Sequence, residues 1–413
     1  MGWYARRKAL APPLSLPHLA ALTPSEDYEV QIVDGNVDPV DINAQVDLVA
    51  ITLTTASAPE AYETADAFRE RGIPVVMGGI HPTVMPDEAA LHADAVVIGE
   101  AEPVWKEVLA DAARGKLKSR YQQTGFCNLA GLPIPRRGLL SAERYLCPNT
   151  VQTARGCPHA CKFCSVSTVA GRGYRFRPIP DVIEELKGLR GWVGLIDDNI
   201  AGKPSRAKEL FEKMIPLKLK WVGQADLGIA KDPELLRLAA RSGCHALFMG
   251  IESINPENLR AAHKGPNIGL DMSEAIRKIH RAGIGIIGSF VFGLDEDDSG
   301  VFAKTLAFAE QNKLVAAQFA VLTPFPGTEM RRQLEKEGRI LSNDWDQYTM
   351  SSVVYQPPNH MSPKELADGR DWVLRKFYSI PSILKRNMTL RRPLERYALN
   401  RGYRNRKGTA QAR

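Results

Sequence analysis

Three cysteines fall within eight residues, Cys157, Cys161 and Cys164 in ARGCPHACKFCSV, with the spacing C-x3-C-x2-C. Thiolates this close on one loop containing Gly and Pro can converge on a single soft metal centre. The count of three is informative. A cubane iron–sulfur cluster normally takes four Cys, so three leave one iron with an open position for an exogenous ligand. The competing reading is a structural zinc site that adds His159 or a distant Cys. Zinc accepts Cys3His sets, but its usual pattern is two separated pairs, and His159 lies between the other ligands, a strained place from which to join their tetrahedron. Cys127, Cys147 and Cys244 read as plain buried thiols or surface residues.

The loop needs a scaffold, and an alternating series supplies one. Strand candidates are TVQTAR (150–155), WVGLIDD (192–198), KWVGQAD (220–226), HALFMGIES (245–253), IGIIGSFVFGL (284–294) and AAQFAVLTP (316–324). Helical periodicity follows each, as in PDVIEELKGL (180–189) and MSEAIRKIHRAG (272–283). Six β/α units predict a (β/α)6 partial TIM barrel over residues 150–340, with chemistry at the carboxyl ends of its strands. The cysteine loop directly follows the first of them.

A second α/β series precedes it. EVQIVDG (29–35), DLVAITL (47–53), PVVMGG (74–79) and DAVVIGE (94–100) read as strands, and 59–72 and 104–115 as helices ending in Gly. This predicts a Rossmann-like parallel-sheet domain over residues 1–120. Residues 1–22 look like a Pro-broken loop and short helix, so the expected first strand of such a sheet is missing from this chain. Residues 121–149, with LPIPRRG, form a linker. Residues 341–413 form a C-terminal extension with a basic, helical tail.

The C-x3-C-x2-C loop, with Phe163 before its last Cys and six β/α units after it, resembles the radical S-adenosylmethionine (SAM) superfamily. The resemblance implies a [4Fe–4S] cluster whose open iron is chelated by SAM. Reduction then cleaves SAM to methionine and a 5′-deoxyadenosyl radical that abstracts hydrogen from substrate. By the same resemblance, Asp197, Asp198 and Asn199 face the SAM amino group, Gln224 ends the third barrel strand, and Glu252 and Ser253 bond the ribose. LTPFPGT (322–328) packs near adenine. Each of these residues also suits a turn or cap, Asp-Asp-Asn above all.

The N-terminal stretches PPLSLPHLAAL, VVMGGIHPTVMPDEA and VVIGEAEPVWKEVLADAARGK are similar to the cobalamin-binding subclass of that superfamily. Gly78 and Gly79 would then let backbone approach the corrin closely; a tight turn is the alternative use. The Asp-x-His-x-x-Gly motif that supplies a lower-ligand histidine elsewhere is absent. The subclass implies methylation of an unactivated carbon: the adenosyl radical removes hydrogen, methylcobalamin delivers the methyl group, and a second SAM recharges it. Cyclisation or rearrangement without methyl transfer is the alternative outcome. No residue in the sequence identifies a catalytic acid or base.

Composition bounds the rest. The chain has 413 residues, 44% hydrophobic and 24% charged, with a net charge of +7. That is ordinary globular composition and excludes a disordered or fibrous chain. No apolar run reaches the ~18 residues of a membrane span, the N-terminus lacks a signal-peptide core, and sparse cysteines fit a reducing cytoplasm. Between Arg370 and Arg413 stand 13 Lys/Arg and 2 Asp/Glu, so the basic character belongs to the tail. FYSIPSILKRNMTLRRPLERYALNRGYRNRKG (377–408) mixes apolar and basic residues, which suits peripheral contact with the inner face of a membrane and a lipid-like or other small-molecule substrate, or equally a solvated basic extension folded against the barrel base. RNA binding is the lesser reading of that tail. Flavodoxin or ferredoxin is the expected electron donor.

Overall fold

A computed structural model describes residues 9–122, 124–358, 361–387 and 400. Its first sheet has four parallel strands, β1 (Val49–Thr52), β2 (Val75–Gly78), β3 (Ala95–Ile98) and β4 (Arg120–Gln122), in that order. The strands are short apolar runs because both faces are covered. On one face, Tyr62, Ala65 and Phe68 of helix Ala58–Glu70 pack on Val75, Met77 and Val96. On the other, Trp105, Val108 and Leu109 of helix Trp105–Ala113 pack on Val76, Ala95 and Val97. The period-two split of Val75 and Met77 from Val76 sets which side chain meets which helix. Deleting the fully packed Phe68 ring would cost about 3–5 kcal/mol.

One expectation changes here. Residues 29–35 carry no strand; Glu29, Gln31 and Val33 are exposed and no neighbouring strand pairs with them among the described residues. Without a ladder partner, a β-branched run has nothing to hold its backbone in a sheet. The first sheet instead begins at β1, preceded by helix Ser15–Leu22.

The second sheet is built after a connector with two short 3₁₀ turns. Strand β5 (Asn149–Val151) leads into an antiparallel ribbon of β6 (Ala154–Arg155) and β7 (Arg175–Phe176). Then come β8 (Trp192–Leu195), β9 (Lys220–Gln224), β10 (Cys244–Glu252), β11 (Gly285–Phe292) and β12 (Ala316–Val321). The order is β12-β11-β10-β9-β8-β5, all parallel, with β5 and β12 as open edges. This is the partial barrel. Its core runs from Val151 and Val193 through Trp221, Leu247 and Ile286 to Phe319.

Beyond β12 the chain turns back over the barrel. Helix Pro363–Phe377 starts with a reciprocal cap between Ser362 and Glu365. Phe377 meets Phe319 edge-on at 5.3 Å, and the Tyr378 hydroxyl donates to the Ala317 carbonyl at 2.7 Å. Helix Ile380–Asn387 follows. The remainder of the basic tail, 388–399 and 401–413, lies outside the described residues. No helix among the described residues is long and apolar enough to cross a membrane.

Candidate functional site

The cysteine loop leaves β6 at the carboxyl end of the barrel and is tied to two other strand ends. The Lys162 amide donates to the Ala262 carbonyl (3.2 Å) beyond β10, and the Lys162 carbonyl accepts from the Met330 amide (2.9 Å) beyond β12. The Cys161 thiol reaches the His263 carbonyl at 3.7 Å. Burial pushes all three thiols up, Cys161 to about 11. A cation that replaces the proton is what such buried sulfurs need. The other cysteines stand apart: Cys147 and Cys244 lie at the amino ends of β5 and β10, and Cys127 on the connector. The described residues hold no ready-made cage of three ligating side chains; a loop this short closes around its metal as it binds. Three soft donors on one loop, with the remaining thiols elsewhere, fit a cluster that keeps one iron open.

Around this loop the predicted residues divide into two groups. Asp197 is fully buried and accepts from the Thr153 amide and hydroxyl and the Ala154 amide, bracing the β5–β6 corner. Burial lifts it to about 6 against those hydrogen bonds. Ser253 is also used internally, accepting from the Asn255 amide at 3.0 Å and from Asn258. Gln224 closes β9, its carbonyl taking the Ile200 amide at 2.9 Å. Phe163 packs on the barrel core.

Asp198, Asn199 and Glu252 lie nearer the thiols. Asp198 accepts from the Gly156 amide at 3.2 Å and is a charge neighbour of Cys157 and Cys164; burial raises it. The Asn199 amide donates to Asp226 at 2.6 Å, and Asp226 also takes the His159 ring at 3.4 Å. Glu252 sits at a left-handed φ of 64°, where the β10–β11 register shifts. A non-Gly residue there carries backbone strain of about 1–3 kcal/mol, offset by an ion pair with Lys264 at 3.0 Å.

Sequence reasoning missed Asp226, Lys264 and Tyr174. The Tyr174 hydroxyl is buried beside Cys157, Asn199 and Asp226, and burial pushes it well above the phenol range. It needs Gly202: a Cβ there would stand 1.6 Å from the hydroxyl oxygen. Asp226, two residues past the end of β9 and capping 227–231, was within reach of the strand-end argument. Lys264 and Tyr174 carried no local signal, because neither ends a strand.

A second site adjoins the first. A cavity of about 480 Å³ opens between the carboxyl ends of the two sheets, lined by Thr52, Gly78, Gly79 and Val97 on one side and by Gln152 and Arg155 on the other. Gly79 has φ 101°, and a Cβ there would lie 2.8 Å from Thr52 Oγ1 and 2.9 Å from the Leu53 carbonyl. That space is filled by Thr52 and Leu53, so Gly79 serves the tight packing of this turn, and its backbone borders the cavity. Charged groups clamp the wall. Glu100 accepts from Arg155 (2.8 Å), from both Arg175 Nη atoms (2.8 and 2.9 Å) and from the Cys127 amide (2.6 Å). Glu102 pairs with Arg155 and with His18 at 3.1 Å. Burial alone would raise both carboxyls, but the Arg175 and Arg155 bonds hold Glu100 below its usual range, and His18 and Arg155 do the same for Glu102. None of the five was expected, since each pair joins segments far apart in the chain.

A three-thiol loop at the mouth of one parallel sheet and a glycine-bordered cavity at the mouth of the other mark a metal- and cofactor-dependent enzyme. The family models agree with that class: the B12 binding domain matches residues 4–109 and the Radical SAM superfamily matches residues 151–309. The chain is 33% identical over 392 residues to bacteriochlorophyllide d C-12(1)-methyltransferase of Chlorobaculum tepidum, covering 92% of this chain and 85% of that one. It is 28% identical to hopanoid C-2 methylase of Rhodopseudomonas palustris, over 81% of this chain and 66% of that one. Among solved structures, cobalamin-bound TsrM from Kitasatospora setae matches with a TM-score of 0.64 at 17% identity, over 88% and 81% of the two chains. OxsB with aqua-cobalamin matches with a TM-score of 0.70 at 17% identity, over 91% and 66%.

The chain belongs to the radical SAM superfamily, in the group that carries a cobalamin-binding domain ahead of the barrel. It is an enzyme of that family, with a [4Fe–4S] cluster, SAM and cobalamin as its cofactors. This sets aside the reading as a structural zinc or RNA-binding protein.

Proposed function

We propose that the enzyme methylates a carbon atom of an apolar small molecule of polycyclic or lipid-like character. The observation that carries this is the cavity at the carboxyl end of the first sheet, whose lining is mostly apolar: Leu14, Leu16, Ile80, Leu132 and Val169 join Gly78 and Gly79 in it. A bulky apolar molecule gains by leaving water there. Relatives named for bacteriochlorophyllide and hopanoid methylation support the same substrate class.

When bound, the cluster with SAM supplies hydrogen abstraction and the cobalamin supplies a transferable methyl group. The chain's own residues then have distinct tasks. Cys157, Cys161 and Cys164 hold the cluster. Asp198, Asn199 and the Glu252–Lys264 pair give charge-assisted partners to the amino, carboxylate and hydroxyl groups of SAM. Gly78 and Gly79 floor the corrin site. The Glu100–Arg155–Arg175 clamp keeps the two regions in register and closes the wall to water. A flavodoxin or ferredoxin serves as electron donor.

The test is anaerobic turnover with methyl-labelled SAM and bacteriochlorophyllide d as probe. The expected products are 5′-deoxyadenosine, S-adenosylhomocysteine and labelled pigment. S-adenosylhomocysteine that forms equally well without bound cobalamin would overturn the methyl-transfer reading, whatever pigment is offered.

A further inference from the structure

We infer that the base of the barrel docks on an anionic lipid surface through the outer face of helix Ile380–Asn387. This rests on residues apart from both cofactor regions. The helix is fixed at the amino end of β12: Arg386 donates to the Leu314 carbonyl at 2.6 Å and to the Phe377 carbonyl at 2.8 Å. Ser382, Ile383, Arg386 and Asn387 form its buried face. With that face held, the opposite one cannot turn inward.

The outer face is apolar and basic at once. Ile380 and Leu384, one helical turn apart, are 46% and 43% exposed. Pro381 is exposed between them, and Arg375, Lys376 and Lys385 are exposed around them. The segment 372–387 contains no acidic residue. Glu310 is engaged by Ser382, and Asp371 by Arg370. The sequence beyond it, residues 388–413, carries eight Lys/Arg against the single Glu395.

Charge complementarity names an anionic partner, and the side chains choose between the two macromolecular kinds. A nucleic-acid strand is held by exposed aromatic rings interleaved with cations. Here the aromatic residues of the segment belong to the barrel, Phe377 and Tyr378 buried and Trp372 half-buried against its core, and what projects from the helix is aliphatic. Branched aliphatic prongs ringed by Lys and Arg match the boundary between lipid headgroups and acyl chains. The cysteine loop lies at the other end of the barrel, so docking leaves the cavity mouth open.

The test is cosedimentation of the full chain with phosphatidylcholine vesicles containing about a quarter phosphatidylglycerol, compared with pure phosphatidylcholine. The expected result is binding to the anionic vesicles that is about tenfold weaker on the neutral ones and falls with salt. Ile380→Glu with Leu384→Glu should lower anionic binding about tenfold while thermal unfolding and SAM cleavage stay as in the unmodified chain. Equal binding by the double variant, no preference for anionic vesicles, or release from vesicles by single-stranded RNA would each overturn the proposal.

Discussion

Glu100 offers the sharpest test of how the two regions are joined. It lies on the turn after β3, while Arg155 and Arg175 belong to the ribbon that carries the cysteine loop. The Glu100 side chain is 13% exposed and Arg175 22%, and the pair is bidentate. Removing one member of such a pair leaves the other charge half-desolvated, so Glu100→Ala should cost about 2–4 kcal/mol. The pairwise share is isolated by a double-mutant cycle with Arg175→Ala. For a close, well-shielded, charge-assisted pair the coupling should be about 2 kcal/mol, a roughly thirtyfold effect on the unfolding equilibrium. The assay is urea unfolding of the anaerobic holoprotein, with corrinoid and iron counted for each variant. Loss of corrinoid without loss of iron is expected, because the Cys loop keeps its ties to Ala262 and Met330. A coupling below about 0.5 kcal/mol, the level of an exposed pair, would refute the argument that this contact joins the two regions.

Three further outcomes follow from particular residues. Gly79→Ala should destabilise by about 2–4 kcal/mol, given the φ of 101° and the close approach to Leu53, and should cut corrinoid retained through gel filtration. Gly202→Ala should displace Tyr174 and raise the KM for SAM while iron content stays unchanged, because the atoms nearest that Cβ position all belong to Tyr174. Asp297, buried and accepting from the Gly293 and Leu294 amides, is raised by burial to about 6. The native state therefore binds the extra proton between about pH 4 and pH 6, and this group's contribution to stability falls as pH rises through that window, by about 2–3 kcal/mol. Urea midpoints at the two ends should show that slope lessened in Asp297→Asn.

Much of this architecture could be read from sequence, for identifiable reasons. The six barrel strands and the cysteine loop stood out because burial on both faces forces continuous apolar runs, and because three thiols in eight residues have few other uses. Residues 29–35 misled because β-branched composition reports a suitable surface, not the presence of a ladder partner. Asp197 and Ser253 looked like ligand contacts by position, yet their oxygens serve the local turns; sequence order cannot tell which of two adjacent acids faces inward. The Glu100–Arg155–Arg175 clamp, Tyr174 against Gly202, and Lys264 against Glu252 were illegible because each joins residues 12 to 75 positions apart in contacts that only the fold creates.

The most direct measurement is the metal and corrinoid content of the chain purified and reconstituted without oxygen. About four iron and four sulfide per chain, together with one bound corrinoid, is the expected result, and Cys157→Ala should lose the iron while keeping the corrinoid. A colourless protein holding zinc, or a cluster that survives removal of Cys157, would contradict the account.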